Sequence, residues 1–196
     1  MPISTQKNTT KYDLFRKRHY VSIIKQTVGY CTWIFGYKKK PFLFETENRK
    51  GELMYICRGK KKRYAIFYDY KQFKKTFGHL NFEGQLAYAM SLIAHEMGHY
   101  YQMRQLDSKK PRESEETLKA WRENDENAKF PDECDSLLEF YTQPMELDAE
   151  LFAYVLVADK LNIQIGLDFI DSNFLKILEK RYIELYGETY DELFCK

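Results

Sequence analysis

The stretch Ala94-His95-Glu96-Met97-Gly98-His99-Tyr100 decides how the rest of the chain is read. Two histidines four residues apart on a helix stand one turn above each other on the same face, so both imidazoles can reach one ion. The glutamate after the first histidine is rotated by about a quarter turn. That keeps it out of direct coordination and close enough to take a proton from water at the ion. The pattern is H-E-x-x-H, with the ligand spacing of a zinc-binding helix.

Outward from this stretch, residues 83–106 read as one helix. Leu86, Met90, Ile93, Met97 and Tyr100 recur at the spacing of a buried stripe, and His95 and His99 fall on a face shared with Tyr88 and Leu92. Between Gly84 and Met103 the only charged residue is Glu96. A helix apolar nearly all round is buried, and a buried glutamate with two histidines needs partners, supplied either by an ion or by a satisfied polar cluster. Gly98 costs a helix interior about 1 kcal/mol relative to alanine. With Ala94 it makes a strip of small residues where the sheet or a second ligand helix is expected to pack closely.

A hydrolytic zinc site has three protein ligands and a structural one has four. The third is expected on a later element, and the segment Pro144-Met145-Glu146-Leu147-Asp148-Ala149-Glu150-Leu151-Phe152-Ala153 is the candidate. Its proline and the spacing of Leu147, Leu151, Tyr154 and Ala158 predict a helix over 144–160. Glu146, Glu150, Ala153 and Val157 share one face. Glu146 is a candidate metal ligand, and Glu150, one turn on, a candidate acceptor for the second N–H of a ligand histidine. The same acidic residues also suit a helix start, with Gln143 and Glu146 as a simple cap; the second helix taken alone does not separate these readings.

H-E-M-G-H-Y-Y-Q followed at a distance by Q-P-M-E-L-D-A-E-L-F-A resembles the zincin-like metallopeptidases of the ImmA/IrrE kind and the related peptidase domains of plasmid antirestriction proteins. The resemblance covers residues 92–156. In that group two histidines and the first glutamate of an E-x-x-A-[NE]-x-F-A type segment hold the ion. Carried onto this chain, it implies zinc on His95, His99 and Glu146 with Glu96 as general base. It also implies peptide-bond hydrolysis, of a narrow regulatory kind on a protein or peptide substrate, in a small intracellular protein of a phage or mobile element.

The expected fold class is α+β: a zincin-like core in which a small sheet packs on the helix over 83–106 and on the second ligand helix. With 196 residues, 44% of them apolar, the chain suits a single domain over 1–196. Cys31, Cys57, Cys134 and Cys195 show no C-x-x-C spacing and read as reduced thiols. Met1 to Asn8 has no apolar leader core and no run approaches a membrane span, so a cytosolic, soluble protein with no membrane partner is expected. No internal repeat, glycine-rich phosphate loop or nucleophile triad is present.

The net charge of +2 hides an asymmetry: residues 1–80 carry 19 Lys+Arg against 5 Asp+Glu, and residues 81–196 carry 12 against 24. A basic half can meet nucleic acid or an acidic partner. The expectation favoured here is that the two halves neutralise each other in the fold, because no recognised nucleic-acid motif accompanies the charge.

In chain order, residues 1–12 read as a loose tail. Residues 12–28 read as a helix with Leu14, Tyr20, Val21 and Ile24 inward, and 30–36 as a strand. The runs 53–57 and 64–68 form a hairpin whose tip is Arg58-Gly59-Lys60-Lys61-Lys62-Arg63, and 64–68 is taken as the substrate-side strand. A short helix over 70–77 precedes the central one. His19 and His79 are ordinary turn or surface residues. The charged insert 107–133 holds a helix over 114–127 and is either a lid, a partner-recognition element or a packed peripheral helix. Tyr141 or Tyr154 is a candidate donor to a tetrahedral intermediate, and 167–186 a closing amphipathic helix. Two other classes stand beside the peptidase: a zincin-fold regulatory protein with zinc in a structural role, and a zinc-free structural protein.

Overall fold

A computed structural model describes residues 15–47, 53–161 and 172–187. It is α+β, mostly helical, with one small mixed sheet. Among the described residues α1 (Lys17–Ile34) comes first, followed by β1 (Phe42–Glu45), β2 (Met54–Gly59), a one-turn 3₁₀ tip (Lys60–Lys62) and β3 (Arg63–Tyr68). Six further helices follow: α2 (Tyr70–Phe77), α3 (Phe82–Leu106), α4 (Glu115–Asn127), α5 (Leu137–Tyr141), α6 (Pro144–Leu161) and α7 (Ser172–Tyr186).

The strand expected over 30–36 is instead the end of α1, through Ile34, and its C-terminal cap. Val28, Cys31 and Thr32 continue the buried face that begins with Tyr20 and Ile24, so the helical period outweighs the β propensity of Tyr30, Thr32 and Trp33. The Thr32 hydroxyl donates back to the Val28 carbonyl at 2.6 Å. Gly36, at φ +67°, then ends the helix. Tyr37 N–H reaches the Thr32 carbonyl and Gly36 N–H the Trp33 carbonyl, the paired bonds of a Schellman cap, for which a left-handed residue is needed. Tyr12 and Leu14 lie outside the described residues.

The hairpin forms as expected, β2 antiparallel to β3 from Met54 opposite Tyr68 to Gly59 opposite Arg63. Its place in the sheet differs. β1 pairs in parallel along the other side of β3, giving the order β1-β3-β2. Residues 64–68 are therefore the central strand and cannot receive a substrate. The edge strand next to α3 is β2. β1 is not legible as a strand because only four residues pair, between a lysine run and Thr46.

Side-chain caps start the next helices. Asp69 accepts from Gln72 N–H at 2.9 Å, Asn81 from Gly84 N–H at 2.8 Å, and Ser114 from Thr117 N–H at 3.1 Å. The core lies between α1, the sheet, α2 and the inward face of α3, around Tyr20, Ile24, Ile66, Phe73, Ile93 and Met97. α3 and α6 make the most extensive helix contact, and a Cβ built on Gly98 would stand 2.9 Å from Ala149 Cα and 3.1 Å from its Cβ. The small strip is thus used by the second ligand helix, as expected. The insert carries a packed helix: Leu118 and Trp121 of α4 are buried against Met145 of α6. Part of the closing helix is present as α7, whose Phe174, Leu178 and Tyr182 cover Leu151, while residues 162–171 lie outside the description.

Among the described residues Cys31, Cys57 and Cys134 are free thiols; Cys195 is outside them. No described helix is long and apolar enough to cross a membrane.

Gly98→Ala tests the helix crossing. On an open helix the change stabilises by about 1 kcal/mol, whereas here overpacking against the Ala149 backbone makes it destabilising by about 1–3 kcal/mol, to be read from urea unfolding midpoints.

Candidate metal centre

Crossing at Gly98 and Ala149 brings the histidine face of α3 against the first turn of α6. His95 Nε2 and His99 Nε2 lie 3.0 Å apart with their rings edge to face. The Glu146 carboxylate straddles them, Oε2 at 3.3 Å from His95 Nε2 and Oε1 at 3.4 Å from His99 Nε2. His95, His99 and Glu146 each offer one ligand atom, all within 4.8 Å of one another, a group that can hold a metal ion. The structure therefore brings together the three residues singled out as ligands.

The second ring nitrogens are held differently. His99 Nδ1 lies 2.8 Å from Gln102 Oε1, and Gln102 Nε2 donates to the Met145 carbonyl at 2.9 Å. One buried glutamine thus orients a histidine of α3 and ties it to the residue before Glu146. Glu150 Oε1 stands 3.1 Å from His95 Nδ1, but off the line of a good hydrogen bond, so that nitrogen has a charged neighbour and no aligned partner among the described residues. Gln102 was not singled out from sequence. Its signal was a polar residue three positions after the second histidine on an otherwise apolar helix.

Glu96 is buried, 7% exposed, and lines the same cleft. Three glutamates around two imidazoles make the centre electronegative. Burial works against a charged His95 ring, but the Glu150 charge, the contacts from Glu146 and Glu150 and the charge of Glu96 outweigh it and raise its pKa well above 6.5. Burial likewise disfavours the Glu146 carboxylate, and the His95 and His99 contacts outweigh that, holding it well below the usual carboxylate range.

Asp148, in the same acidic turn, is no part of the centre. The Arg181 guanidinium forks onto it at 2.6 and 3.0 Å and Trp121 Nε1 donates to it at 2.8 Å. The capping alternative is also answered: the Gln143 side chain is engaged by Asn124, Lys129 and Phe140, and Glu146 points to the histidines. His19 accepts from Arg16 N–H at the start of α1, and His79 is an exposed turn residue. Of the two candidate tyrosines, Tyr141 lines the cleft, whereas Tyr154 is buried and absent from the lining.

The cleft has a volume of about 440 Å³. One wall is residues 53–56 at the start of β2, the other residues 124–131 at the end of the insert, with Phe140, Tyr141 and Met145 at the back. The second wall is fixed by Gln143, whose Oε1 accepts Lys129 N–H and whose Nε2 donates to the Lys129 carbonyl, both at 2.9 Å. Asn124 Oδ1 accepts Met145 N–H at 2.8 Å.

No protein-family model matches the sequence, and searches of curated proteins and of solved structures return no match.

Two outcomes are expected. Gln102→Leu removes the His99 acceptor and strands the Met145 carbonyl, lowering metal affinity about 10–100-fold, measured by competition with a chromophoric chelator. With metal stripped by a chelator, the stability contributed by charged His95 is fully present below about pH 6.5 and is lost as pH rises through its raised pKa. Urea unfolding followed upward from about pH 6.5 reads that fall, and His95→Gln flattens it.

Proposed function

We propose that this chain is a zinc-dependent metallopeptidase of the zincin kind, akin to the ImmA/IrrE group that its two motifs resemble. The observation that carries the reading is the meeting of His95, His99 and Glu146 with Glu96 in one cleft. A tetrahedral ion with bonds of 2.0–2.1 Å has ligand-to-ligand edges of about 3.3 Å. The two imidazole nitrogens stand 3.0 Å apart and His95 Nε2 lies 3.3 Å from Glu146 Oε2, near that figure, while the other carboxylate oxygen meets His99 Nε2 at 3.4 Å; two imidazoles with one carboxylate are a donor set suited to zinc. Three candidate ligands among the described residues, the number a hydrolytic site uses, support a hydrolytic role.

Zinc, when bound there, supplies Lewis-acid polarisation of a carbonyl and acidifies water toward neutral pH. The chain's own groups do the rest. Glu96, one residue along α3 from a ligand and buried in the cleft, takes the proton of the attacking water and returns it to the leaving amine. Gln102 holds the His99 ring, and the Glu150 carboxylate stands beside the His95 ring as its charged neighbour. An extended peptide can lie along β2, whose outer edge has no strand partner among the described residues, with the wall at residues 124–131 opposite. Backbone pairing at such an edge aligns a scissile bond without demanding a particular side chain. The cleft is walled on one side by the end of the insert, in keeping with selective cleavage inside a cell.

Elemental mass spectrometry is the first test. The wild-type chain is expected to hold close to one zinc and His99→Ala little; no zinc in either after reconstitution overturns the reading. Glu96→Gln is expected to keep zinc and lose about 10²–10⁴-fold in turnover on cleaved peptides, and retained activity would remove Glu96 as the base. Glu146→Ala is expected to lower zinc affinity sharply.

A further inference from the structure

The basic half of the chain is only partly neutralised by the fold. Lys17 pairs with Glu45, Lys71 with Glu47, and Arg58 with Asp125 and Asp107. Away from the metal centre, a second cavity of about 280 Å³ gathers Lys62 from the hairpin tip, Arg104 from the last turn of α3, and Lys110 and Arg112 from the loop beyond it. Its single lining carboxylate, Asp107, is already engaged: the Tyr64 hydroxyl donates to it, and Lys62 and Arg58 lie 3.5 and 3.7 Å away. Among the described residues no carboxylate lies within ion-pair range of Arg104, Lys110 or Arg112.

Arg104 is fixed rather than loose. Its guanidinium lies over the Tyr37 ring at 4.7 Å and beside those of Tyr64 and Tyr100 at 5.9 and 6.0 Å, stacking that holds the planar fork ready for an oxyanion. Arg112 is anchored through its backbone N–H to Gln105 and through Nη1 to the Phe35 carbonyl. Gln105 Nε2 donates to the Tyr37 oxygen, which leaves the phenol hydrogen to donate in turn. One cation at a helix C-terminus answers the helix dipole; four around one cavity exceed that need. The volume lies below the usual range for a whole small-molecule ligand, so it suits a compact anionic group whose remainder extends outside. The strand register sets Phe42 beside Ala65, so the Lys38–Lys40 run before β1 lies at the same end of the sheet as Lys60, Lys61 and Arg63. Of the hairpin tip, Lys62 lines the cavity.

We propose that this cavity binds a phosphate group, carried either by a free nucleotide-like polyphosphate or by a polynucleotide backbone. Arg104 and Arg112 act as the fork donors and Lys62 and Lys110 as point charges.

The test is isothermal titration of the full chain at low ionic strength with tripolyphosphate and, separately, with a short single-stranded oligodeoxynucleotide. Arg104→Gln with Arg112→Gln is expected to weaken binding at least about tenfold. Lys62→Gln with Lys110→Gln changes two exposed side chains that carry no core packing, so it keeps the test valid should the arginine variant unfold. It is expected to weaken binding by about fivefold or more. Lys75→Gln with Lys119→Gln, the same charge change elsewhere on the surface, is the control. Tripolyphosphate binding with this pattern supports a free phosphate ligand; oligonucleotide binding alone with this pattern supports the backbone. Absence of saturable binding to both probes, or equal weakening in the control, overturns the site.

Discussion

Everything at the candidate metal centre depends on one close approach, that of α3 and α6 where Gly98 meets Ala149. With no Cβ on Gly98 the helix backbones come near enough for a glutamate on one helix to reach two histidines on the other. Much of α3 is apolar against the sheet and α1, and the face at His95 and His99 is where α6 brings the Glu146 and Glu150 carboxylates. The helix thereby carries a glycine that local propensity disfavours, and the tertiary contact compensates for it.

Around that crossing, amides rather than charges set the positions. Met145 is gripped on both sides of its peptide, its N–H by Asn124 and its carbonyl by Gln102, which determines where the next residue, Glu146, emerges. Gln143 in turn holds Lys129 by both backbone groups, so the far wall of the cleft is braced against the start of the ligand helix. Such fully used buried amides are costly to leave half-satisfied. They tie the ligand geometry and the cleft shape into one unit, and α4, packed by Leu118 and Trp121, is part of that unit.

The charge asymmetry has a similar explanation in part. Some of the N-terminal cations meet acidic residues of the second half, as Arg58 does with Asp107 and Asp125, so the two halves are electrostatically complementary where they touch. Lys62 of the hairpin tip also joins Arg104, Lys110 and Arg112 of the second half in a separate cavity at the C-terminal end of α3. The two cavities thus differ in sign: glutamates surround the first and cations the second.

Local pattern by itself determined the helices carrying the histidines and Glu146, the hairpin with its basic tip and the short helix after it, because each rests on periodicity and turn chemistry within one segment. It also singled out His95, His99 and Glu146, since the i, i+4 spacing and the shared helix face are local properties. It misjudged residues 30–36, where β-prone side chains continue a buried helical face, and it put 64–68 at the sheet edge, because strand order depends on a four-residue partner, β1, with no pattern of its own. Only the tertiary structure decided that β2 borders the cleft, that Asp148 belongs to Arg181 and Trp121, that Gln102 orients His99, and that Lys62, Arg104, Lys110 and Arg112 share a cavity. Each is a contact between segments distant in sequence, and such contacts follow from how the elements pack rather than from the order of residues within any one of them.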